Sequence, residues 1–184
     1  MIGAEFDWLL ARAQRGDEVA FTRIFRDVQP ALLRYLRVIA PDYADDVAGD
    51  TWENVVSGLP GFRGEEKAFR GWLFTIARHR VADRGRARAR HRTVPLDDSG
   101  AEELLTVPDA AELAIERMST QAALAAVATL PEEQAEIIML RVVAGLDAPS
   151  VAEIVGKTPG AVRVAAHRGL RRLAAQIDRT GVTV

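Results

Sequence analysis

Residues 149–173 read PSVAEIVGKTPGAVRVAAHRGLRRL, and they are the most specific local signal in the chain. This stretch predicts a short helix over residues 150–155 and then a turn over residues 156–158. Thr158 is a good N-terminal cap, and Pro159 follows it at a position where a helix tolerates proline. The second helix has apolar residues that we expect to face inward, namely Val162, Ala166, Leu170, Leu173 and Ile177. The pattern predicts a helix–turn–helix.

The outward face of the second predicted helix carries the residues that would meet a partner. From Lys157 to Arg172 the chain has five basic residues and no acid. A helix–turn–helix places the N-terminal end of its second helix in the major groove of DNA, where Arg163 could donate to O6 and N7 of a guanine. Arg168 and Arg171, further along, suit phosphates. We therefore expect a DNA-reading surface. The alternative is a helical hairpin whose Arg-rich face is only solvated.

A second candidate surface lies between residues 61 and 92. This segment combines a loop flanked by glycines, which holds Phe62 and Arg63, with seven arginines between residues 78 and 92 and an aromatic cluster of Phe69, Trp72 and Phe74. Aromatic faces stack on unpaired bases and arginines follow the backbone, so the mixture suits single-stranded or opening DNA. The helical spacing of the aromatic residues after the loop is also that of a core-facing stripe. We therefore expect only the loop and one aromatic edge to touch DNA.

Apolar residues recur at helical spacing over much of the remaining chain. A helix begins after the capping residue Asp17 and contains Pro30, which should kink it or split it in two. The helix after Pro41 has an inner stripe of Ala44, Val47, Ala48, Thr51, Val55 and Leu59. Its opposite stripe is polar and consists of Asp46, Asp50, Glu53, Asn54 and Ser57. A later helix, from Pro131 to Gly145, should turn four residues inward: Ala135, Ile138, Met139 and Val142.

Charge is sorted into blocks, and these blocks divide the chain. Residues 78–92 contain seven arginines and one acid, whereas residues 94–116 contain seven acids and neither Lys nor Arg. Residues 93–108 also hold two prolines and a Ser-Gly pair, which is typical of a linker of low order. We predict an all-α protein with a domain over residues 1–92, an acidic flexible linker over residues 93–110 and a domain over residues 111–184.

Composition excludes several classes of protein. The 184 residues include no Cys and three His, so we expect no disulfide framework and no metal site. No apolar run approaches the ~18 residues that a membrane span needs. Glu5 and Asp7 interrupt the apolar residues near the N-terminus, which argues against a signal peptide, so we expect a soluble cytoplasmic protein. No nucleophile is paired with a base, and the acids between Asp42 and Asp50 lack the spacing of an EF-hand, so we expect neither an enzyme nor a cofactor.

Four motifs carry a resemblance to a known family. They are DDVAGDTW at residues 45–52, FRGE at 62–65, FRGWLFTIAR at 69–78 and GAVRVAAHRGLRRL at 160–173. In this order and spacing they resemble the extracytoplasmic-function (ECF) sigma factors of bacterial RNA polymerase, the smallest members of the sigma-70 family. The resemblance covers about residues 17–175. Arg supplies 22 of the 24 basic residues, a bias that indicates a GC-rich, actinobacterial genome.

The resemblance implies a role for each surface of the N-terminal half, which is similar to sigma region 2. The acidic face, as we call it, would dock on the coiled coil of the polymerase β′ clamp and consists of Asp46, Asp50, Glu53 and Asn54. The −10 set would melt the −10 promoter element, capture a flipped base and lie against the DNA. It consists of Phe62, Arg63, Lys67, Trp72, His79, Arg80, Asp83 and Arg84.

The C-terminal half is similar to sigma region 4, which reads the −35 promoter element and contacts the β flap of the polymerase. The −35 set consists of Thr158, Pro159, Gly160, Arg163, Val164, His167, Arg168 and Arg171. The acidic linker would thread toward the active-site cleft of the polymerase. The implied partners are core RNA polymerase, promoter DNA and an anti-sigma factor, with no small-molecule substrate and no membrane insertion.

Some positions depart from the family pattern. Gly49 stands where many relatives have Gln, and His79 stands where Asn is common, so the clamp contact and the −10 preference are expected to differ. The alternative function is a self-standing helix–turn–helix regulator, in which the N-terminal half would bind a ligand or form a dimer. We further expect the isolated protein to bind promoter DNA poorly, because the acidic linker would compete for the basic faces.

Overall fold

The structure, a computed structural model, describes residues 1–90 and 120–180. These residues form helices and turns and no strand, as the sequence predicts. The N-terminal helices are α1 (Phe6–Ala13), α2 (Glu18–Ile39), α3 (Ala44–Gly58) and α4 (Glu66–Arg90). The C-terminal helices are α5 (residues 120–128), α6 (Glu132–Ile138), α7 (Ala148–Val155) and α8 (Pro159–Thr180). The predicted linker over residues 93–110 lies outside the described residues.

Helix α1 is an addition to the predicted fold. It packs on α2 and buries four apolar residues: Phe6, Leu9, Leu10 and Ala13. Their spacing of three, four and seven residues is that of one helix face, so the signal was present in the sequence. Burying this face extends the N-terminal core to the edge of Phe69, whose ring centroid is 5.5 Å from that of Phe6.

Helix α2 begins where the sequence predicts. The Asp17 carboxylate accepts from the backbone N–H groups of Val19 and Ala20, both at 3.0 Å, and these bonds lower its pKa. The predicted split at Pro30 is wrong, because α2 runs on to Ile39. Proline lacks one N–H donor, but the face of α2 that bears Ile24, Leu32 and Leu36 is fully buried, and its packing offsets that loss.

Helices α3 and α4 follow the prediction. The whole predicted inner stripe of α3 is buried, and its polar stripe faces away from the core. A short 3-10 turn at Leu59–Gly61 ends it, and a loop leads to α4. Helix α4 packs on α3 and α2, buries Phe69, Leu73 and Phe74, and continues into the arginine block. The expectation that most of its aromatic residues belong to the core is confirmed.

The C-terminal helices contain two corrections. Val142 was expected inside but is 64% exposed, because Met139–Val143 is a π-helical turn that changes the register after Ile138. Leu170 was expected inside but is 49% exposed. At this level of α8 the buried residue is Gly169, since a Cβ built there would lie 2.6 Å from Ile138 Cδ1 of α6. The Ile138 side chain therefore occupies the space that a Cβ at position 169 would need.

The helix–turn–helix itself is formed as predicted by α7 and α8. Gly156 ends α7 in the left-handed conformation, with φ +68°, which glycine adopts without strain. The Thr158 hydroxyl accepts from the N–H of Ala161 at 3.2 Å and caps α8. Asp147 caps α7 in the same way through the N–H of Ser150, at 2.9 Å.

The two groups of helices are in contact with each other. Helix α2 packs on α6 and on the π-helical turn, and α4 packs on α7. Their buried residues form one continuous apolar cluster. The contact therefore buries side chains of both groups in a shared interior.

Candidate nucleic-acid interface

The −35 set lies at the outer surface of the helix–turn–helix. Seven of its eight residues are exposed and Pro159 is half-buried. Within the described parts of the chain, no carboxylate forms an ion pair with Arg163, His167, Arg168 or Arg171. Because the three arginines at the start and middle of α8 are not neutralised there, the surface attracts anions such as phosphates.

The loop before α4 holds its aromatic residue against the helix. The rings of Phe62 and Trp72 stack with centroids 5.0 Å apart and planes at 25°. Trp72 lies over Gly58, where a Cβ would come within 2.7 Å of the ring. The Arg63 guanidinium folds back and donates to the carbonyls of Pro60 and Phe62, at 3.0 Å and 2.6 Å. The loop thus presents an exposed arginine beside two half-buried stacked rings.

Residues that the sequence analysis did not single out fix the position of this loop. Gln14, directly after α1, donates to the carbonyls of Leu59 and Phe62 at 3.0 Å and 2.8 Å. Glu66, 8% exposed, accepts from the backbone N–H groups of Ile2 and Gly3. No local sequence pattern identifies these contacts, because the partners of Gln14 and Glu66 lie 45 to 64 residues away along the chain.

A buried ionic cluster anchors the first turns of α4. Arg70, 4% exposed, pairs with Glu66 at 3.4 Å and with Asp27 of α2. Burial of charges is tolerated here because each has an opposite partner. The cluster holds α4 to α2 next to the loop.

Three cations of the −10 set are paired with acids. Lys67 pairs with Asp147, the cap of α7, and this contact together with the cap lowers the pKa of Asp147. Arg80 pairs with Asp83 on the same helix at 3.2 Å. Arg84 pairs with two carboxylates of the acidic face. The exposed His79 lies between these positions on α4. The −10 set is thus more neutralised than the −35 set.

The acidic face is an outer surface of α3. Asp46, Glu53 and Asn54 are exposed and Asp50 is half-buried. Arg84 donates to Asp46 Oδ2 at 2.8 Å and to Asp50 Oδ2 at 2.8 Å and 3.0 Å, contacts that raise the pKa of the arginine. The structure therefore brings the acidic face and one member of the −10 set into direct contact.

A polar cluster lies between the two groups of helices. Glu136 of α6 accepts from the Tyr35 hydroxyl of α2 at 3.1 Å and from Arg78 Nε of α4 at 2.8 Å. Tyr35 is fully buried, and burial and the neighbouring carboxylate raise its pKa. Beside this cluster, a crevice between α4 and α7 includes Lys67 and Trp72 of the −10 set together with Ser150 and Ile154.

The described residues offer neither a metal site nor a membrane span. Among them, no group of three or more His, Asp or Glu is placed to hold a metal ion. No helix within the described ranges is long and apolar enough to span a membrane.

Comparison with known families assigns each group of helices to one class of protein. Residues 24–91 match Sigma-70 region 2, and residues 120–173 match Sigma-70 region 4. Both regions belong to one family of transcription initiation factors, and they occur here in the order that the sequence motifs imply. The class is that of the sigma-70 proteins.

Relatives narrow this class. The chain is 35% identical to the ECF RNA polymerase sigma factor SigD of Mycobacterium tuberculosis over 98% of its length and 88% of that protein. It is 38% identical to the ECF RNA polymerase sigma factor ShbA of Streptomyces griseus, over 93% and 94% of the two chains. The chain belongs to the ECF family of RNA polymerase sigma factors, as the resemblance predicts, and these relatives are actinobacterial.

Solved structures share the fold. RpoE of Bartonella quintana, solved with the anti-sigma factor NepR, matches with a TM-score of 0.62 at 23% identity, over 89% of this chain and 98% of that one. CnrH, solved with the cytosolic domain of CnrY, matches with a TM-score of 0.60 at 24% identity, over 93% and 96%. The alternative of a self-standing regulator is not supported, because the N-terminal half matches region 2 rather than a ligand or dimer domain.

Proposed function

We propose that this sigma factor binds core RNA polymerase through the acidic face and contacts promoter DNA through the −10 and −35 sets. It would direct the polymerase to its promoters and assist melting of the −10 element, with no catalytic step of its own. The domain boundaries proposed for these roles remain residues 1–92 and 111–184.

The observation that carries the proposal is the exposure of the −35 set. The cations at the start and middle of α8 project from a capped helix that follows a left-handed turn, which is the geometry that enters a major groove. Their lack of acid partners within the described residues supports a role in binding an anion. Arg163 is assigned to a guanine edge, whereas Arg168 and Arg171 are assigned to phosphates.

The −10 set is proposed to act on DNA as it opens. The Phe62 and Trp72 rings stack on each other, and an extruded base can stack on the same kind of surface. Arg63 is exposed beside these rings, and His79 is exposed further along α4. Bracing of the loop by Gln14 would keep it in place while a base is captured, which costs a few kcal/mol of lost base stacking.

Reading both promoter elements requires the two groups of helices to separate. The −35 and −10 elements lie about 25 base pairs apart, which is about 85 Å of duplex at ~3.4 Å per pair. The described helices are instead joined directly by the Tyr35–Glu136 and Arg78–Glu136 contacts. Residues 91–119 can span at most about 100 Å when fully extended, which is enough for the separation. Binding to polymerase is proposed to open the molecule.

One further partner and a cellular location are proposed. RpoE of Bartonella quintana was solved with an anti-sigma factor, and by analogy we propose that an anti-sigma factor also binds this chain. Its site of action would be the cytoplasm, where RNA polymerase works.

The docking role of the acidic face can be tested with one pair of variants. Titration of the full chain with core RNA polymerase from an actinobacterium measures the affinity. The double variant Glu53→Gln with Asn54→Ala should weaken binding about tenfold, or ~1.4 kcal/mol. Asp45→Asn removes an exposed acid from the same helix but lies outside the acidic face, so it serves as the control. Equal affinities for all three proteins would refute docking through this face.

A further inference from the structure

Arg84 connects two surfaces that the proposed function assigns to different partners. Its guanidinium uses three N–H donors on α3: Nε and Nη2 donate to Asp50 at 3.0 Å and 2.8 Å, and Nη1 donates to Asp46 at 2.8 Å. An arginine has five such donors, so more than half are occupied. Arg84 is also a member of the −10 set, whereas both aspartates belong to the acidic face.

The contact is part of a regular arrangement. One turn further along α4, Arg88 donates to Asp42 at 3.0 Å. Arg84 and Arg88 are four residues apart on one helix, and Asp42, Asp46 and Asp50 follow the same spacing on the other side. Two arginines of α4 therefore face three carboxylates along the length of the contact.

The same groups cannot serve both partners and each other at once. A basic residue of the polymerase that binds Asp46 or Asp50 competes with Arg84 for the carboxylate oxygens. A DNA phosphate that binds Arg84 competes with the same carboxylates for the guanidinium. The side chains are 38%, 66% and 35% exposed for Arg84, Asp46 and Asp50, so both exchanges can occur without unfolding.

We propose that Arg84 couples the two binding events: it neutralises the acidic face in the free chain and is released to the DNA backbone when the polymerase takes that face. This inference rests on the proposed function of the acidic face. Coupling of this kind is reciprocal, so DNA held by Arg84 also strengthens binding to the polymerase. Because exposed ion pairs are weak, the coupling is modest, about two- to fivefold in affinity.

A simple brace between α3 and α4 makes the opposite prediction. If Arg84 only held the helices together, its removal would loosen α3 and weaken polymerase binding. If it competes for the acidic face, its removal leaves the carboxylates available and strengthens polymerase binding. The sign of the change in affinity therefore separates the two roles.

The test measures two affinities of the full chain. Arg84→Gln should bind core RNA polymerase two- to fivefold more tightly than the unaltered chain. The resulting holoenzyme should bind promoter DNA more weakly, with a salt dependence reduced by about one phosphate contact. Arg84→Lys keeps the charge but loses the three-donor geometry, so it should strengthen polymerase binding less than Arg84→Gln does.

The control is Arg86→Gln, which removes the same charge from the same helix but from an arginine that pairs with Asp83. Its affinity for the polymerase should stay unchanged. If Arg84→Gln binds the polymerase no more tightly than Arg86→Gln does, the coupling is refuted. Thermal unfolding of each variant checks that it is folded.

The double variant Asp46→Asn with Asp50→Asn distinguishes failure of docking through the acidic face from failure of the coupling by Arg84. If it binds the polymerase as well as the unaltered chain does, the docking face itself is wrong. If it binds more weakly while Arg84→Gln does not bind more tightly, only the coupling is wrong.

Discussion

At the scale of single residues, the cations of the two DNA-binding sets differ in how they are satisfied. Lys67 pairs with the α7 cap Asp147, Arg80 pairs with Asp83 on its own helix, and Arg84 pairs with two carboxylates of α3. The cations of the −35 set have no acid partner within the described residues. An arginine that must leave a carboxylate to bind a phosphate gains less affinity than one that leaves only water. We therefore expect the −35 set to bind DNA more readily than the −10 set does in the free chain.

Substituting Arg163 by Ala should relax recognition at one base pair of the −35 element. The guanidinium that donates to a guanine would be lost, at a cost of about 1–3 kcal/mol for that base pair alone. Binding of the holoenzyme to a set of promoters with single changes in the −35 element measures this. Arg171→Ala is the matched comparison and should weaken all promoters alike. A uniform loss in Arg163→Ala would instead make Arg163 a phosphate contact.

Tyr35 predicts a dependence of stability on alkaline pH. Burial raises its pKa above the value in the unfolded chain, which is about 10. Its contribution to the free energy of unfolding is therefore complete below about pH 10 and is lost as the pH rises further. Tyr35→Phe should lose about 1 kcal/mol at pH 8, since the hydrogen bond to Glu136 disappears.

Urea unfolding at pH 8 and at pH 10.5 measures both effects. The unaltered chain should lose more stability between the two pH values than Tyr35→Phe does. The chain has only two lysines, and both proteins contain them, so the comparison isolates the phenol. An equal loss in the two proteins would contradict the assignment.

The structural role of a residue could be predicted from the sequence where it depends on contacts with near neighbours in the chain. The caps at Asp17 and Thr158 follow from short-range hydrogen bonding, and both were predicted. The partners of Arg84 and Glu136 were not predicted, since they lie 34 to 101 residues away along the chain. Such pairs depend on how helices pack, which no local pattern specifies.

At the scale of helices, close packing sets limits that residue patterns do not reveal. Gly49 in α3 has nothing near the position of a Cβ, whereas Gly169 in α8 would place a Cβ 2.6 Å from Ile138 Cδ1. Ile138 is buried, so it has little room to move. The two glycines should respond to the same substitution with opposite signs.

Gly49→Ala should stabilise the protein by about 0.5–1 kcal/mol, because Ala is a better helix former than Gly. Gly169→Ala gains the same propensity but overpacks the contact with α6, which typically costs about 1–3 kcal/mol, so a net loss is expected. Thermal and urea unfolding of the two variants measure the difference. Stabilisation of both would show that α6 and α8 have space to adjust.

The errors of helix prediction have one physical origin. Position 142 was placed inside on a regular 3.6-residue period, but the π-helical turn breaks that period. Position 170 was placed inside for its apolar side chain, but close approach of α6 favours Gly169 instead. Pro30 was expected to kink or split α2, but α2 is continuous, with buried residues both before Pro30, such as Ile24, and after it, such as Leu32. Tertiary contacts prevailed over local preference at Pro30 and Leu170, whereas at Val142 the change of helical period decided the outcome.

At the scale of the whole molecule, the direct contact between the two groups of helices has the largest expected effect on promoter binding. The sequence predicted two groups but not their contact, because Tyr35, Arg78 and Glu136 show no pattern that links them. The contact gives a second reason for the expected poor promoter binding of the isolated protein. The first reason, drawn from the sequence, is that the acidic linker would compete with DNA for the basic faces. We also expect the direct contact between the groups to keep one molecule from reaching both promoter elements.

Opening can be followed directly, since the chain has no cysteines and two can be introduced for labelling. Val19 and Val142 are exposed residues in the two groups. Energy transfer between dyes at Val19→Cys and Val142→Cys should fall when core RNA polymerase is added. Adding Glu136→Ala should lower the transfer in the free chain, because two contacts between the groups are lost. Unchanged transfer in an active complex would contradict the opening.

As an ECF sigma factor, this chain is expected to direct RNA polymerase to promoters. The most direct test is run-off transcription with the purified chain, actinobacterial core RNA polymerase and a fragmented genomic library from the same bacterium. We expect discrete transcripts that require the chain, and their upstream sequences should share two elements at −35 and −10. A transcript pattern identical to that of core polymerase alone, with the chain bound to the polymerase, would contradict the account.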